Sequence, residues 1–356
     1  MNVVDATGSY ERWANSQAPL LPKDLKYKHR QMDKAVFPFL RATFYRWVQL
    51  WSEICPDLAT APSLLAVGDL HIENFGTWRD AEGRLVWGVN DFDEAARAPY
   101  TLDLVRLAAS AVVAIRENRL AIEAERACGL ILDGYAGGLR HGPRCFVLEE
   151  SNFPIRAMAL GEDRDPERFW KKMGKLPKSA RVPVAIRKLL AGSLPDPKLR
   201  FDVVHRRAGL GSLGRPRFTA LAHWHDAMIA REAKALLPSA YGWALGRPGA
   251  GSSSERLMNA AVRSPDPSWT VHGRWVLRRL GPNESRIELA DLPKKRDERE
   301  ILRAMGAETA NVHFGTPQAI AGVKQDLKAR KSKWLFAAAV KMAAATRDDW
   351  KRWKAR

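Results

Sequence analysis

Cysteine is scarce in this sequence. Cys55, Cys128 and Cys145 are far apart, unequally spaced and odd in number, which excludes a disulfide framework and a zinc knuckle and fits a reducing compartment. Long apolar runs are missing too. The N-terminus MNVVDATGSYERWANS has no basic start leading into an apolar core, and the most apolar helix expected, Leu104 to Ile115, is short and contains Arg106. Neither export nor a membrane span is expected, and a cytoplasmic location follows. Internal repeats are absent, which removes solenoids and propellers. Acidic residues are the minority among the charges, 40 against 58 Lys and Arg, for a formal charge of +18. An anionic partner is therefore favoured, whether nucleotide phosphate, acidic metabolite or nucleic acid.

What is present is the composition of a globular protein, 46% hydrophobic over 356 residues, enough for one large two-lobed core or two ordinary domains. From Lys23 to Trp51 the pattern FPFLRATFYRWVQLW reads as packed helix, ended by Pro56 and Pro62 before a strand at Leu64 to Val67. Thr77 to Asn90 reads as a hairpin turning at Asp80 to Gly83. Thr101 is an N-cap candidate for the helix LDLVRLAASAVVAI, and further helix covers Glu123 to Tyr135. Gly161 to Lys198, rich in charge and proline, is expected to be a connecting segment. FDVVHRRAGLGSLGRPRFTALAHWHDAMIAREA then reads as strand, glycine loop, strand, turn at His225 and Asp226, and strand. After the loop Gly246 to Ser254, Ser252 is expected to cap a short helix toward Glu255. Strand WVLRRL and helices from Asp297 to the end follow. In the tail from Lys324 to Arg356, Trp334, Phe336, Val340, Trp350 and Trp353 recur at helical spacing among Lys and Arg, the pattern of a half-buried helix with a basic outer face.

Two constellations carry chemistry. The first is GDLHIENFG followed by NDFDE, which places Asp69, His71, Asn74, Asp91 and Asp93 in two loops separated by one hairpin. Phosphoryl transfer needs a carboxylate to orient the attacking hydroxyl, oxygen ligands for a divalent metal and cations on the phosphates. Asp69 and Asn74 have the D-x-x-x-x-N interval of a kinase catalytic loop, and Asp91 stands where a second metal ligand belongs, with Asp93 beside it. Hard oxygen donors of this kind suit magnesium or manganese. His71 has a possible catalytic place but is read chiefly as a support for the loop backbone. Asp103 and Arg106, one helical turn apart, are expected to pair or to buttress the site. GDLH also begins two-metal phosphoesterase motifs, yet His141, His205, His223, His225, His272 and His313 form no paired-histidine motif to complete such a cage.

The second constellation is Gly209, Gly211 and Gly214, in G-x-G-x-x-G with Ser212 between them. A dinucleotide fold would open a helix at the third glycine, whereas Arg215, Pro216 and Arg217 lead into the alternating FTALAHW. A glycine loop between two strands is the form that covers nucleotide phosphates with backbone amides. A cation on the following strand should reach the same phosphates, and Arg231 is read in that place, with Lys234 past the strand's end. Glu232 and Glu255 are both candidates for the cation's acidic partner.

These residues resemble the bacterial family known as domain of unknown function 2252, through FPFLRA, GDLHIENFGTW, GVNDFDEAARAPYTLDLVRLAAS, GLGSLGRPRF, IAREAK, WVLRRL and GAETANVH. The family in turn is similar to aminoglycoside and other small-molecule kinases. That resemblance implies Asp69 as catalytic base, Asn74 and Asp91 as metal ligands and Asp103 as support for the catalytic loop. Against those kinases, Val67 replaces a common histidine, Arg231 the usual lysine, and Ala42 the glycine after Arg41. It also implies an α+β, two-lobed protein-kinase-like fold in circularly permuted order, because the catalytic loop precedes the glycine loop. The expected segments are 1–62, N-terminal helices; 63–198, a catalytic helical lobe with the metal-binding hairpin; 199–290, a β-rich nucleotide lobe; and 291–356, C-terminal helices on the catalytic lobe. The function expected is ATP- and magnesium-dependent phosphotransfer to a hydroxyl of a small molecule or a protein. The alternative is an inactive kinase-like nucleotide binder or a basic nucleic-acid-binding protein.

Overall fold

A computed structural model describes residues 1–159, 164–249, 251–284 and 298–356. The expected helix start at Asp297 and the segment boundary at 290/291 lie outside these residues, as do 161–163 of the expected connector and residue 250 of the glycine- and serine-rich loop. The chain opens with five helices, α1 (Val3–Gln17), α2 (Pro22–Lys34), α3 (Val36–Ala42), α4 (Phe44–Ile54) and α5 (Pro56–Ala59). Four short strands follow, β1 (Ser63–Ala66), β2 (Phe75–Arg79), β3 (Leu85–Val89) and β4 (Ala96–Pro99), and then the helices α6 (Tyr100–Arg116) and α7 (Ala124–His141). Strands β2 and β3 form the hairpin, and β1 pairs antiparallel with β4, so the two acidic loops leave neighbouring strand ends.

The N-cap of α6 is Pro99, two residues before the expected Thr101, whose hydroxyl instead bonds the Leu58 carbonyl at 2.6 Å. Its apolar residues from Leu102 to Ala114 are buried on all sides, the mark of a central helix. After β5 (Phe146–Val147) and α8 (Phe153–Ala159), the expected connector contains two more helices, α9 (Pro166–Gly174) and α10 (Val184–Gly192). Asp165 caps α9 and Pro166 and Pro183 open the two helices, so the prolines here start helices rather than prevent them.

The second half builds an antiparallel sheet from β6 (Phe201–Val204), β7 (Arg217–Trp224), β8 (Ala227–Ala235), β9 (Thr270–His272) and β10 (Trp275–Leu280), in the order β6-β7-β8-β10-β9. Helices α11 (Ala240–Ala244) and α12 (Ser254–Ala260) lie between β8 and β9. Ser252 does meet the start of α12, where its hydroxyl accepts the Ser254 amide at 3.1 Å. The sheet's two faces differ because side chains alternate along each strand. One face packs Val203, Ala220, Ala233 and Leu277 under Ile186 and Leu190 of α10. The other is apolar only toward Val204, Leu221, Ala230 and Leu280, which meet Met173 of α9. Its remaining part carries Arg217, Thr219, Glu232, Lys234 and Arg278, paired across strands in register.

Three helices close the chain, α13 (Glu298–His313), α14 (Pro317–Ala329) and α15 (Trp334–Lys354). Helices α7 and α13 cross at glycine: a Cβ on Gly134 would fall 1.9 Å from the Arg303 carbonyl oxygen, and one on Gly306 2.0 Å from that of Ile131. Helix α15 buries Leu335, Ala339, Met342 and Trp353, while Asp349 pairs with Arg46 at 2.7 Å. No described helix is long and apolar enough to cross a membrane. The architecture is mixed α+β with several small sheets.

Candidate functional site

The acidic loop after β1 is held from beneath by α6. Asp103 accepts the Val67 and Gly68 amides at 2.7 and 2.8 Å, and Ser110 accepts the Ile72 amide at 3.0 Å. Asp103, Arg106 and Ser110 are three and four residues apart, so they form one polar stripe on an otherwise apolar helix. Behind Asp103, His313 Nε2 stands 3.0 Å from its carboxylate, and His313 Nδ1 is 2.9 Å from the Tyr135 hydroxyl. Gly68 turns the chain at φ +86, where a Cβ would lie 2.2 Å from the Glu94 carbonyl oxygen. That contact brings the two acidic loops together.

Arg106 is fully buried, lies over Trp47 with its guanidinium carbon 5.0 Å from the ring centre, and donates from Nε and Nη2 to Asp69 Oδ1 at 2.9 and 2.6 Å. Asp69 Oδ2 makes no hydrogen bond among the described residues and lies near the glycine turn, 3.5 Å from where a Gly211 Cβ would be. Burial raises the Asp69 carboxyl above the ordinary range, with Arg106 opposing it. Asn74 ties the two loops, donating to the Asp69 and Asp91 carbonyls at 3.1 and 3.0 Å, while its own Oδ1 is buried and accepts nothing among the described residues. His71 is buried and accepts the Glu73 amide on Nδ1 at 3.2 Å. It also lines the cavity described below.

The cation that meets these carboxylates is Lys234. Its Nζ is 2.6 Å from Asp93 Oδ1 and 3.5 Å from Asp91 Oδ1. Burial pushes the ammonium below its ordinary value, and Asp91 and Asp93 counter that. Arg231 is on the opposite face of β8, donating to the Ser193 carbonyl at 2.9 Å near the end of α10, so its placement at the site is corrected. The reason is strand length: β8 runs to Ala235, and Lys234 lies inside it, odd-numbered from Arg231 and hence on the other face. Glu255 is also away from the site; it is exposed and lines a separate cavity with Gln17 and Arg274.

Glu232, two residues before Lys234 and on its face, accepts from Arg217 at 2.6 Å, Arg278 at 2.7 Å and Arg206 at 3.1 Å. Burial alone would raise this carboxyl, but the three guanidinium groups hold it well below the ordinary range. A further arginine, Arg215, joins the glycine loop to the second acidic loop through Glu94 at 2.6 Å and Asp93 at 3.5 Å. Sequence reasoning passed over Glu94 and Arg215; the signal was an arginine on each side of Pro216, facing the run DFDE.

The glycine loop does join β6 to β7. Leu210–Ser212 forms a 3-10 turn after Gly209, which has φ 71, and Gly214 has φ 97. The turn sits over α3, with the Gly211 Cβ position 3.1 Å from the Arg41 carbonyl oxygen. Ser212 accepts from Arg217 Nη2 at 3.2 Å. Helix α2 holds the loop from outside, since the Leu21 amide donates to the Gly214 carbonyl at 2.8 Å and Asp24 pairs with Arg207 at 2.7 Å. Between turn and acidic loops is a cavity of about 40 Å³, lined by Asp69, Asn74, Asp91 and Asp93, by Gly211 and Ser212, and by Tyr10 and Tyr45. That volume suits a few waters.

Hard oxygen donors dominate this cavity. Among the described residues no three His, Cys, Asp or Glu side chains form a metal cage by themselves. Asn74 Oδ1 and the Asp91 carboxylate could still contribute two ligands to a divalent ion whose other ligands come from phosphate and water, the usual manner for magnesium. The orphaned amide oxygen fits that use.

Fold and site together define an α+β protein with a buried acidic centre beneath a glycine turn. The model of a family described as uncharacterised proteins conserved in bacteria, domain of unknown function 2252, matches residues 20–177 and 196–356, and the chain belongs to that family. No curated protein and no solved structure matches the chain.

Proposed function

We propose that this protein is an ATP- and magnesium-dependent phosphotransferase acting on a hydroxyl group, with a kinase-like site whose nucleotide-binding half follows its catalytic loop in permuted chain order. The observation that carries this reading is the meeting, at one cavity, of Asp69 and Asn74, whose Oδ2 and Oδ1 have no donor among the described residues, with Asp91 and Asp93, which hold Lys234 between them. Asp69 would orient the acceptor hydroxyl through Oδ2, its other oxygen being fixed by Arg106. Lys234 would turn to the nucleotide phosphates, and the amides of Gly209 to Gly214 would cover them. Magnesium, when bound, supplies charge neutralisation at the phosphates, with Asn74 and Asp91 as its protein ligands. The acceptor oxygen forms a bond to the γ-phosphorus as the bond to ADP breaks, ADP leaves with the electron pair, and the hydroxyl proton passes to Asp69 or solvent.

The five-stranded sheet with a glycine loop between its first two strands and a buried lysine on the third supports the permuted arrangement. A cavity of about 40 Å³ is far smaller than a nucleotide. On this reading the glycine turn would lift from α3 as ATP enters, a closed-to-open change of the kind that gates many such sites. The test is ATP turnover or acceptor labelling by purified protein with and without divalent metal. Activity that needs the metal and disappears in Asp91→Ala supports the reading; failure of the wild type to bind nucleotide with magnesium overturns it.

A further inference from the structure

Cations at or beside the cavity have carboxylate partners, whereas Lys28, which meets the lining residue Tyr45 without lining the cavity itself, has none among the described residues. Arg106 has Asp69, Lys234 has Asp93, Arg215 has Glu94 and Arg41 has Glu73. Lys28 of α2 is 2% exposed and has no hydrogen bond or ion pair among the described residues. Its Nζ lies 5.7 Å from the ring centre of Tyr45, which stacks on Tyr10 at 4.1 Å, and both rings line the cavity. Tyr10 in turn receives Arg215 Nη2 at 3.4 Å. Glu11, the nearest counter-charge by effect, is engaged by His29 at 2.7 Å.

An ammonium held in this way is unfavourable to the folded state unless something outside the chain compensates it. Burial pushes Lys28 down to about 8, with Glu11 opposing, so it remains largely charged at neutral pH. A cation–π contact with one tyrosine offsets a small part of that cost.

We propose that the phosphoryl acceptor is an anionic hydroxyl compound whose phosphate or carboxylate group is received by Lys28 at the Tyr10–Tyr45 wall, beside Arg215. This rests on the phosphotransferase reading and adds the class of its substrate. The anion neutralises Lys28 while the hydroxyl of the same molecule faces Asp69. Lys28 thereby selects the acceptor and leaves the nucleotide to Lys234 and the glycine turn.

The experiment is a thermal-shift and calorimetric titration of the full chain with inorganic phosphate and, separately, acetate, at fixed ionic strength. Each is run with and without magnesium and a non-hydrolysable ATP analogue, on wild type, Lys28→Met, Lys28→Arg and Asp91→Ala. The expected result is that Lys28→Met weakens one or both anions by about tenfold or more, raises the ligand-free melting temperature and leaves nucleotide affinity unchanged. Lys28→Arg should retain part of the anion affinity. Asp91→Ala should lose the nucleotide and keep the anion, which separates failure of the phosphotransferase reading from failure of this one. The phosphate and acetate arms decide between the two anionic groups. Equal anion affinity in wild type and Lys28→Met, or a loss of nucleotide rather than anion affinity, would overturn the proposal.

Discussion

Asp69 illustrates how one residue can be both fixed and available. Two guanidinium hydrogen bonds converge on Oδ1, and Oδ2 is left toward the glycine turn. Asp69→Asn should keep magnesium-nucleotide affinity within about twofold and lower turnover on the order of 10²- to 10⁴-fold, as loss of a positioned acid–base group does; a parallel binding and single-turnover measurement checks this. The residues of this site were legible to different degrees. Asp69, Asn74, Asp91 and Asp93 stood out because polar residues at fixed intervals between short apolar strands have few purely structural explanations. Lys234 did not, because its membership of β8 depends on where the strand ends: read as lying past the end, it has no place on the face that alternation from Arg231 assigns to it. Lys28 was illegible for a different reason. Its helix is mostly polar in sequence, KDLKYKHRQMDK, and packing of α2 against α3, α15 and the glycine loop buries it.

At the scale of elements, α6 and α13 hold the acidic loops in place. Gly68 lets β1 turn over Asp103 onto the Glu94 carbonyl, so Gly68→Ala combines a left-handed φ with a clash that neither loop can relieve. It should destabilise the protein by more than about 2 kcal/mol, measured by urea unfolding. On the other side, Glu308 of α13 accepts the Val89 amide at 3.1 Å and the Asn311 side-chain amide at 2.8 Å, bracing the end of β3 two residues before Asp91. Burial raises its carboxyl to about 7 from 4.5. The folded chain therefore holds this proton more tightly than the unfolded chain. The contribution to stability is complete below about pH 4.5 and is lost as pH rises through about 7. The stability difference between wild type and Glu308→Gln should thus shift against wild type between pH 5 and pH 8, on the order of 3 kcal/mol at most. Paired urea melts at the two pH values measure it, and a pH-independent difference would exclude the role. Most elements were readable from periodicity and turn residues, including the hairpin, the strand–glycine loop–strand unit and the final helix. Helices α9 and α10 were hidden because proline and charge mark a helix start as readily as a loop.

Over the whole molecule, the positive charge is distributed with a purpose near the site and more generally elsewhere. Arg206, Arg217 and Arg278 gather on one buried Glu232, which leaves an excess of cation on the sheet face that carries Lys234. On α15, by contrast, the basic residues are outward while Asp349 and Trp353 anchor the helix to the N-terminal helices. The central claim is that the second half of the chain delivers a nucleotide to the acidic loops of the first half, with Lys234 as its phosphate contact. Calorimetric titration of a non-hydrolysable ATP analogue, with and without magnesium, into wild type, Lys234→Ala and Arg231→Ala tests it most directly. The account predicts magnesium-dependent binding by wild type and Arg231→Ala and a loss of about tenfold or more in Lys234→Ala. Binding that survives Lys234→Ala and fails in Arg231→Ala, or no binding by wild type at all, would contradict it.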